Sequence, residues 1–380
     1  MREGWEYKKL GEVATYINGY AFKPEQWKVD GTPIIRIQNL NNPDAPYNYY
    51  EGEVPDKVKV YKGDLLISWS ASLGAYIWEG ETAYLNQHIF KVYFDKSNID
   101  KMYLKYAVSS KLDVMIGQVH GATMKHIVKK DFDNTLIPYP HITMQLSIVS
   151  ELDKITEMIS KYDEQLKELD KLSQSIFYEM FGDPVENEKG WEVKKLEDEC
   201  VCITDGDHMP PPKADYGVPF VTIGNINKES RMIDFSNTYY VPREYFDKIQ
   251  STRKPQIGDV LYTVTGSYGI PIYIDYEMEF CFQRHIGLLR PGESISSIFL
   301  YEWALNKRTK YQADNVATGI AQKTVSLKCL RNFDIILPPL PLQQSFARKI
   351  EAIEAMKSKV KEAKKEAETL LAARMQYWFE

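Results

Sequence analysis

The sequence predicts an α+β fold: two tandem mixed α/β modules, each followed by a long α-helix, the two helices packed antiparallel with pseudo-two-fold symmetry. Three observations predict it. The chain repeats itself once, the first part of each copy has the texture of short strands and loops, and each copy closes on an apolar heptad run. The predicted boundaries are 1–141 and 185–340 for the modules, and 142–184 and 341–380 for the helices.

The duplication comes first, because a missed repeat misreads the whole fold. Gly4-Trp5-Glu6-Tyr7-Lys8-Lys9-Leu10 returns as Gly190-Trp191-Glu192-Val193-Lys194-Lys195-Leu196, an offset of 186. Pro33 to Leu40 returns at the same offset as Pro219 to Ile226. Gly63-Asp64-Leu65-Leu66-Ile67-Ser68 matches Gly258-Asp259-Val260-Leu261-Tyr262-Thr263, and His88-Ile89 matches His285-Ile286. Gly121 to Ile127 is answered by Gly319 to Val325, an offset of 198, and Ile137-Pro138 by Leu337-Pro338. The drifting offset marks loops of unequal length, where insertions are tolerated.

Within each module, β-branched and aromatic runs such as Pro33–Ile37, Asp64–Trp69 and His88–Phe94 alternate with Gly, Pro and Asn, the pattern of short strands. After Pro138 and Pro140 the pattern becomes helical, with Ile148, Leu152, Ile155, Ile159, Tyr162, Leu166, Leu169, then Leu172 or Ser173, and Ile176. That 4-3 spacing is a heptad seam and asks for a partner helix. Gly182 and Pro184 stop it. The second copy repeats the seam with Phe346, Ile350, Ile353, Val360, Ala363, Ala367, Leu370 and Tyr377. A helix of about 40 residues is roughly 60 Å long. Folding of each helix back onto its own module is the alternative. The strict heptad argues against it, since such a helix shows a broader stripe.

Composition bounds the function. The chain has 44% hydrophobic residues, enough for a core, and no apolar run near the ~18 residues that span a bilayer. The charged start Met1-Arg2-Glu3 lacks a signal-peptide stretch, so a cytoplasmic protein without membrane partners is expected. Four cysteines do not make a disulfide framework. The net charge of −6 disfavours nucleic acid on average, yet residues 1–141 are neutral while 142–184 carry −5 and 341–380 carry +2. Acidic against basic is the complement paired helices require.

Catalytic signatures are missing. There is no GxxxxGK[ST] loop and no Asn-Pro-Pro-aromatic or Asp-Pro-Pro-aromatic tetrapeptide, and Cys200-Val201-Cys202 has no second ligand pair at zinc spacing. Asp183, Glu192 and Lys194 could compose a metal-nuclease string. The first copy, however, repeats Glu6-Tyr7-Lys8 without an acidic partner, so the string belongs to the duplicated scaffold. Six scattered histidines without a nucleophile elbow support no triad. No catalytic residue, metal site or cofactor is predicted.

What remains are polar side chains in loops at matching places. The first copy offers Arg36, Gln38, Asn39, Ser68, Ser70, Gln87, His88, Thr123, Lys125 and His126; the second offers Thr222, Asn225, Thr263, Thr265, Ser267, Arg284, His285, Gln322, Lys323 and Thr324. Arg and Lys suit guanine edges and phosphates, and Asn and Gln suit adenine. A constant scaffold with different polar content is what two readers of two half-sites need.

These features resemble the specificity subunit of type I restriction–modification systems. The resemblance rests on the Gly-Trp-Glu-x-x-Lys-Leu openings, the Gly-Asp-[Leu/Val]-Leu-x-[Ser/Thr] segments and the Gly…Lys loops. It extends to the proline junctions with Gln145 and Gln343 and to the long helix ending in Phe181-Gly182-Asp183-Pro184. It covers essentially the whole chain. It implies two target-recognition domains, each reading half of a bipartite double-stranded DNA sequence, with the helices setting the spacer. It further implies docking of two DNA adenine methyltransferase subunits, and of restriction (helicase/nuclease) subunits through them. Methyl donor and ATP would be bound by those partners. A non-DNA-binding duplicated scaffold, or a self-sufficient nuclease, are the alternative readings.

Overall fold

The structure is a computed structural model and describes residues 4–42, 44–70, 72–117, 127–319 and 322–380. It forms two compact units, Met1–Glu164 with Lys361–Glu380, and Gln165–Val360, so each module shares its unit with one end of both long helices.

The first unit holds strands β1 (Glu6–Lys9), β2 (Thr15–Asn18), β3 (Thr32–Ile35), β4 (Asn48–Tyr50) and β5 (Lys59–Val60). They are followed by β6 (Leu65–Ser68), β7 (Gly74–Ile77), β8 (Ala83–Leu85), β9 (Ile89–Tyr93) and β10 (Leu136–Tyr139). One antiparallel sheet has the order β2-β9-β6-β7, and a second, β4-β3-β8-β5, contains the parallel pair β3–β8. β1 pairs with β10 and ties the module's beginning to its end. The central strand β6 is buried at every residue, which is why it reads as a continuous apolar run rather than an alternation. The helix Lys101–Gly117 lays Tyr103, Leu104, Ala107, Val108 and Leu112 on this core, one face of a 3.6-residue period. Asp100 caps it by accepting from Tyr103 N at 2.9 Å.

The second unit repeats the plan with β11 (Glu192–Lys195), β12 (Cys200–Asp205), β13 (Val218–Val221), β14 (Ile226–Asn227), β15 (Met232–Ile233) and β16 (Tyr239–Val241). The later strands are β17 (Val260–Thr263), β18 (Pro271–Tyr273), β19 (Cys281–Phe282), β20 (Ile286–Pro291) and β21 (Asp334–Leu337). The sheets β12-β20-β17-β18, β16-β13-β19 and β11-β21 match those of the first unit, including a parallel pair, β13–β19. The hairpin β14–β15 and the helix Arg243–Lys248 lie in the stretch where the offset between the copies grows.

The duplicated Gly-Asp motif now has a physical reason. Gly63 (φ +88°) and Gly258 (φ +92°) turn the chain through the left-handed region, which glycine adopts without a Cβ penalty. Asp64 and Asp259 then accept from Tyr61 N (2.8 Å) and Gln256 N (2.9 Å). Each carboxylate also meets a cation from the neighbouring strand: Lys91 at 2.7 Å, and Arg290 through two bonds of 2.9 and 2.8 Å. The junction glutamines match too. Gln145 and Gln343 are fully buried, accept from Asp100 N and Ser296 N, and donate to Pro140 O and Pro338 O.

The long helices span Ile142–Phe181 and Leu340–Phe379. In each unit their segments run antiparallel. In the first unit Asp163 meets Lys364 at 2.6 Å, and further apart along both helices Glu151 meets Arg374 and accepts from Trp378 Nε1. In the second unit Asp170 meets Lys357 at 2.7 Å, while Phe181 packs on Phe346 at 5.1 Å between ring centroids. The acidic-against-basic expectation therefore corresponds to named ion pairs. Ile148, Leu152, Ile155, Phe346, Ile350, Ile353 and Val360 are buried, and Ile159, Leu166 and Leu169 half-buried. Of the pair left open, Ser173 is buried and Leu172 exposed. Leu370 is a correction: it is 47% exposed, and Leu371 takes the inward place against the core. Tyr377 is likewise exposed and Trp378 packs inward. Continuing the 4-3 spacing from Val360 through Lys364 and Ala367 leads to Leu371 and Trp378. The sequence reading slipped because it skipped the two lysines, whose partners lie on the other helix.

Candidate nucleic-acid interface

At one end of each module, loops from different strands are laced by backbone hydrogen bonds that recur bond for bond. In the first unit Asn86 N donates to Ile35 O (3.1 Å), Tyr20 N to Leu85 O (2.7 Å), and Ile89 N to Asn86 O (3.2 Å). Trp69 N donates to His88 O (3.4 Å) and Ile127 N to Trp69 O (3.0 Å). In the second unit the same places are taken by Gln283 N to Val221 O (3.0 Å), Asp207 N to Phe282 O (2.8 Å) and Ile286 N to Gln283 O (3.1 Å). Val264 N to His285 O (2.9 Å) and Val325 N to Val264 O (2.8 Å) complete the set. Each cluster thus joins the ends of five strands.

The close approach of backbones demands glycine. A Cβ on Gly19 would lie 2.2 Å from Asn86 O, and one on Gly206 would lie 1.8 Å from Phe282 O. The sequence reading missed this pair, although Asn18-Gly19-Tyr20 and Asp205-Gly206-Asp207 stand at nearly the repeat offset. It also missed Trp69, whose ring packs on His88 (centroids 5.3 Å) and whose Nε1 donates to Asn18 Oδ1 at 3.1 Å. A tryptophan between Ser68 and Ser70, half-buried at a loop, was the available signal.

The structure places six of the expected contact residues in the scaffold instead of on the surface. Asn39 and Asn225 are buried and accept from Arg36 N (3.1 Å) and Thr222 N (2.8 Å), closing the turn after β3 and β13. Ser68 and Thr263 are fully buried and donate to Ser72 O (2.6 Å) and Ser267 O (2.7 Å), closing the turn after β6 and β17. Ser70 and Thr265 are buried beside them, Thr265 accepting from Thr324 Oγ1 at 3.3 Å. Ser267 is half-buried and contributes its carbonyl. Buried polar groups keep their partners, because leaving one unpaired costs about 1–3 kcal/mol. Recurrence of a like residue at a matching place therefore marks turn construction.

The other expected contact residues stand further out, including His88 and His285, which do not differ between the copies. Gln87, His88, Gln38, Arg284, Gln322 and Lys323 are exposed, and Arg36, Thr222, His285 and Thr324 half-buried. Arg36 is held by Asn48 Oδ1 at 3.0 Å and lies 5.0 Å from the Trp27 ring centre. Gln38 donates to Pro46 O at 3.1 Å, and Thr222 donates to Asn225 Oδ1 at 2.7 Å. Burial and the neighbouring Arg284 push the His285 imidazole below its ordinary value, so it is neutral at pH 7. Thr318 and Thr324 exchange backbone bonds of 3.0 and 2.8 Å. Thr123, Lys125 and His126 lie outside the described residues, next to Ile127.

The nuclease string is structural. Lys194 pairs with Glu192 at 2.5 Å, as Lys8 pairs with Glu6 at 3.5 Å, and Asp183 accepts from Val185 N. Burial pushes the Cys200 thiol up to about 12, so it stays protonated at neutral pH. Among the described residues no cluster of three or more His, Cys, Asp or Glu could hold a metal, and no helix is long and apolar enough to cross a membrane.

A duplicated recognition protein, built of two loop-bearing modules and two long helices, is the class that this fold and these loop clusters define. Residues 2–171 and 188–369 match the family model of the type I restriction modification DNA specificity domain, and the chain belongs to that family. Among curated relatives it is 22% identical to the EcoBI specificity subunit of Escherichia coli, covering 93% of this chain and 80% of that one. It is 23% identical to the MjaVIII specificity subunit of Methanocaldococcus jannaschii, covering 97% and 92%. In fold it is similar to a type I restriction–modification S subunit from M. genitalium, with TM-score 0.53, 14% identity and 100% and 98% coverage. A chain from a structure on complex assembly and conformational transition of the type I system gives TM-score 0.57, 18% identity and 99% and 97% coverage. The protein is a DNA specificity subunit, the non-catalytic recognition component of a type I restriction–modification system. That role carries DNA binding and assembly with the system's other subunits.

Proposed function

We propose that each module (1–141 and 185–340) is a target-recognition domain reading one half of a bipartite double-stranded DNA target. The helices 142–184 and 341–380 then set the unread spacer and dock two DNA adenine methyltransferase subunits, through which the restriction subunits join. The observation that carries this reading is the pair of loop clusters, which share five anchoring backbone bonds and differ in exposed side chains such as Gln87 and Arg284. The contact residues are the exposed and half-buried members: Arg36, Gln38, Gln87, His88, Thr222, Arg284, His285, Gln322, Lys323 and Thr324, together with Thr123, Lys125 and His126 from outside the described residues. Ion pairs along the helices hold the acidic and basic faces together, which leaves the loop ends for the phosphate backbone. The complex works in the cytoplasm, where its methyl donor and ATP, bound by partner subunits, are available.

The test is an exchange of residues 1–141 for another family member's module in the assembled methyltransferase complex. Methylation mapping is expected to show one half-site changed and the other kept. A change in both halves, or in neither, contradicts the assignment. Binding that ignores salt would favour a protein-binding scaffold, since phosphate contacts make log K fall steeply with log salt.

A further inference from the structure

Gln87 and Arg284 occupy equivalent places in the two units. Each is the second residue of a four-residue turn, Asn86 to Ile89 and Gln283 to Ile286, closed by the bonds of 3.2 and 3.1 Å given above. Each turn is anchored to the end of the parallel strand pair through Ile35 O or Val221 O. The following residue is His88 in one and His285 in the other, so the turns differ at Asn86 against Gln283 and at Gln87 against Arg284, of which only the second pair is exposed.

Both side chains are exposed. Gln87 makes one local contact, Nε2 to His88 Nε2 at 3.1 Å. The Arg284 guanidinium has no hydrogen-bond or ion-pair partner among the described residues. Three other arginines of this unit are ion-paired: Arg290 with Asp259, Arg253 with Asp207, and Arg243 with Glu279. Its backbone N donates to Asp207 O at 3.0 Å, which fixes where the side chain departs. Its histidine neighbour is neutral at pH 7 and leaves it the one cation of the turn.

A side-chain amide presents one donor and one acceptor, the complement of the adenine N6–N7 edge, while a guanidinium presents paired donors, the complement of guanine O6 and N7. We propose that these turns read bases, and that Gln87 and Arg284 are specificity-determining residues at corresponding positions of the two half-sites. Gln87 selects an A·T pair through adenine, and Arg284 selects a G·C pair through guanine. The inference rests on the bipartite reading above and deepens it to single base pairs.

The experiment uses the full chain assembled with its methyltransferase subunits, a randomised double-stranded DNA library as probe, and sequencing of bound molecules. Arg284→Gln is expected to change one position of one half-site from guanine to adenine and to lower affinity for the original target at least about tenfold. Gln87→Arg is expected to do the converse in the other half-site. Arg284→Lys keeps the charge but loses the planar fork, so it is expected to weaken guanine selectivity without switching it to adenine, while keeping the salt dependence. Unchanged preference with uniformly weaker binding in Arg284→Gln would make Arg284 a phosphate contact and overturn the proposal. If the module exchange moves a half-site while these variants leave every position unchanged, this inference alone fails. If the module exchange moves nothing, the bipartite reading fails with it.

Discussion

Glu302 is the most informative single perturbation outside the loops. It lies in the helix Ser297–Leu305 and is 7% exposed, facing Lys357 on the second long helix. Lys357 is itself buried and already neutralised by Asp170 at 2.7 Å and Glu354 at 2.6 Å. Glu302 is thus a third carboxylate around one ammonium. Burial raises it most; Lys357 and Arg231 pull down, Glu354 and Asp170 push up, and the result is a rise from 4.5 to about 7. An acid raised in the folded state binds its proton more tightly there than when unfolded, so stability falls as pH climbs from 4.5 through 7. At about 1.36 kcal/mol per pH unit the loss above pH 8 is about 3 kcal/mol. Glu302→Gln removes the titration and keeps the shape. By thermal unfolding it is expected to stabilise the protein by about 3 kcal/mol at pH 8.5, roughly 6–12 °C for a unit of this size. At pH 5 the gain should shrink below about 1 kcal/mol. An equal effect at both pH values, or a loss at pH 8.5, would refute this account of the cluster.

Two other substitutions test the scaffold. Asp259→Ala takes the buried carboxylate from the half-buried Arg290, which keeps its bond to Lys254 O, and is expected to cost about 1.5–3 kcal/mol in denaturant unfolding. Leu371→Ala is expected to cost about 1–2 kcal/mol and Leu370→Ala less than about 0.5 kcal/mol, measured the same way, since only the former faces the core.

Much of this architecture was legible because it is written in periodicities and repeats. The strand runs around Leu65–Ser68 and Val260–Thr263, the 40-residue helices and the turn glycines all follow from local pattern. The heptad slip at Leu370 shows the limit. Two adjacent leucines offer equal apolarity, the preceding alanines give little contrast, and the deciding seam residues are lysines whose partners, Asp163 and Asp170, lie on another helix. Glu302 carried no local signal either, since its burial comes from helix packing.

The loop residues divide the same way. By itself the sequence determined the duplication, the two-module plan and the two long helices, because each is written in local pattern and in its recurrence along the chain. Only the tertiary structure decided which polar side chains turn inward. Asn39, Ser68 and Ser70 look as exposed in sequence as Gln87 and His88 do. Their burial is set by strands tens of residues away and by the hydrogen bonds that a turn must satisfy once it is packed.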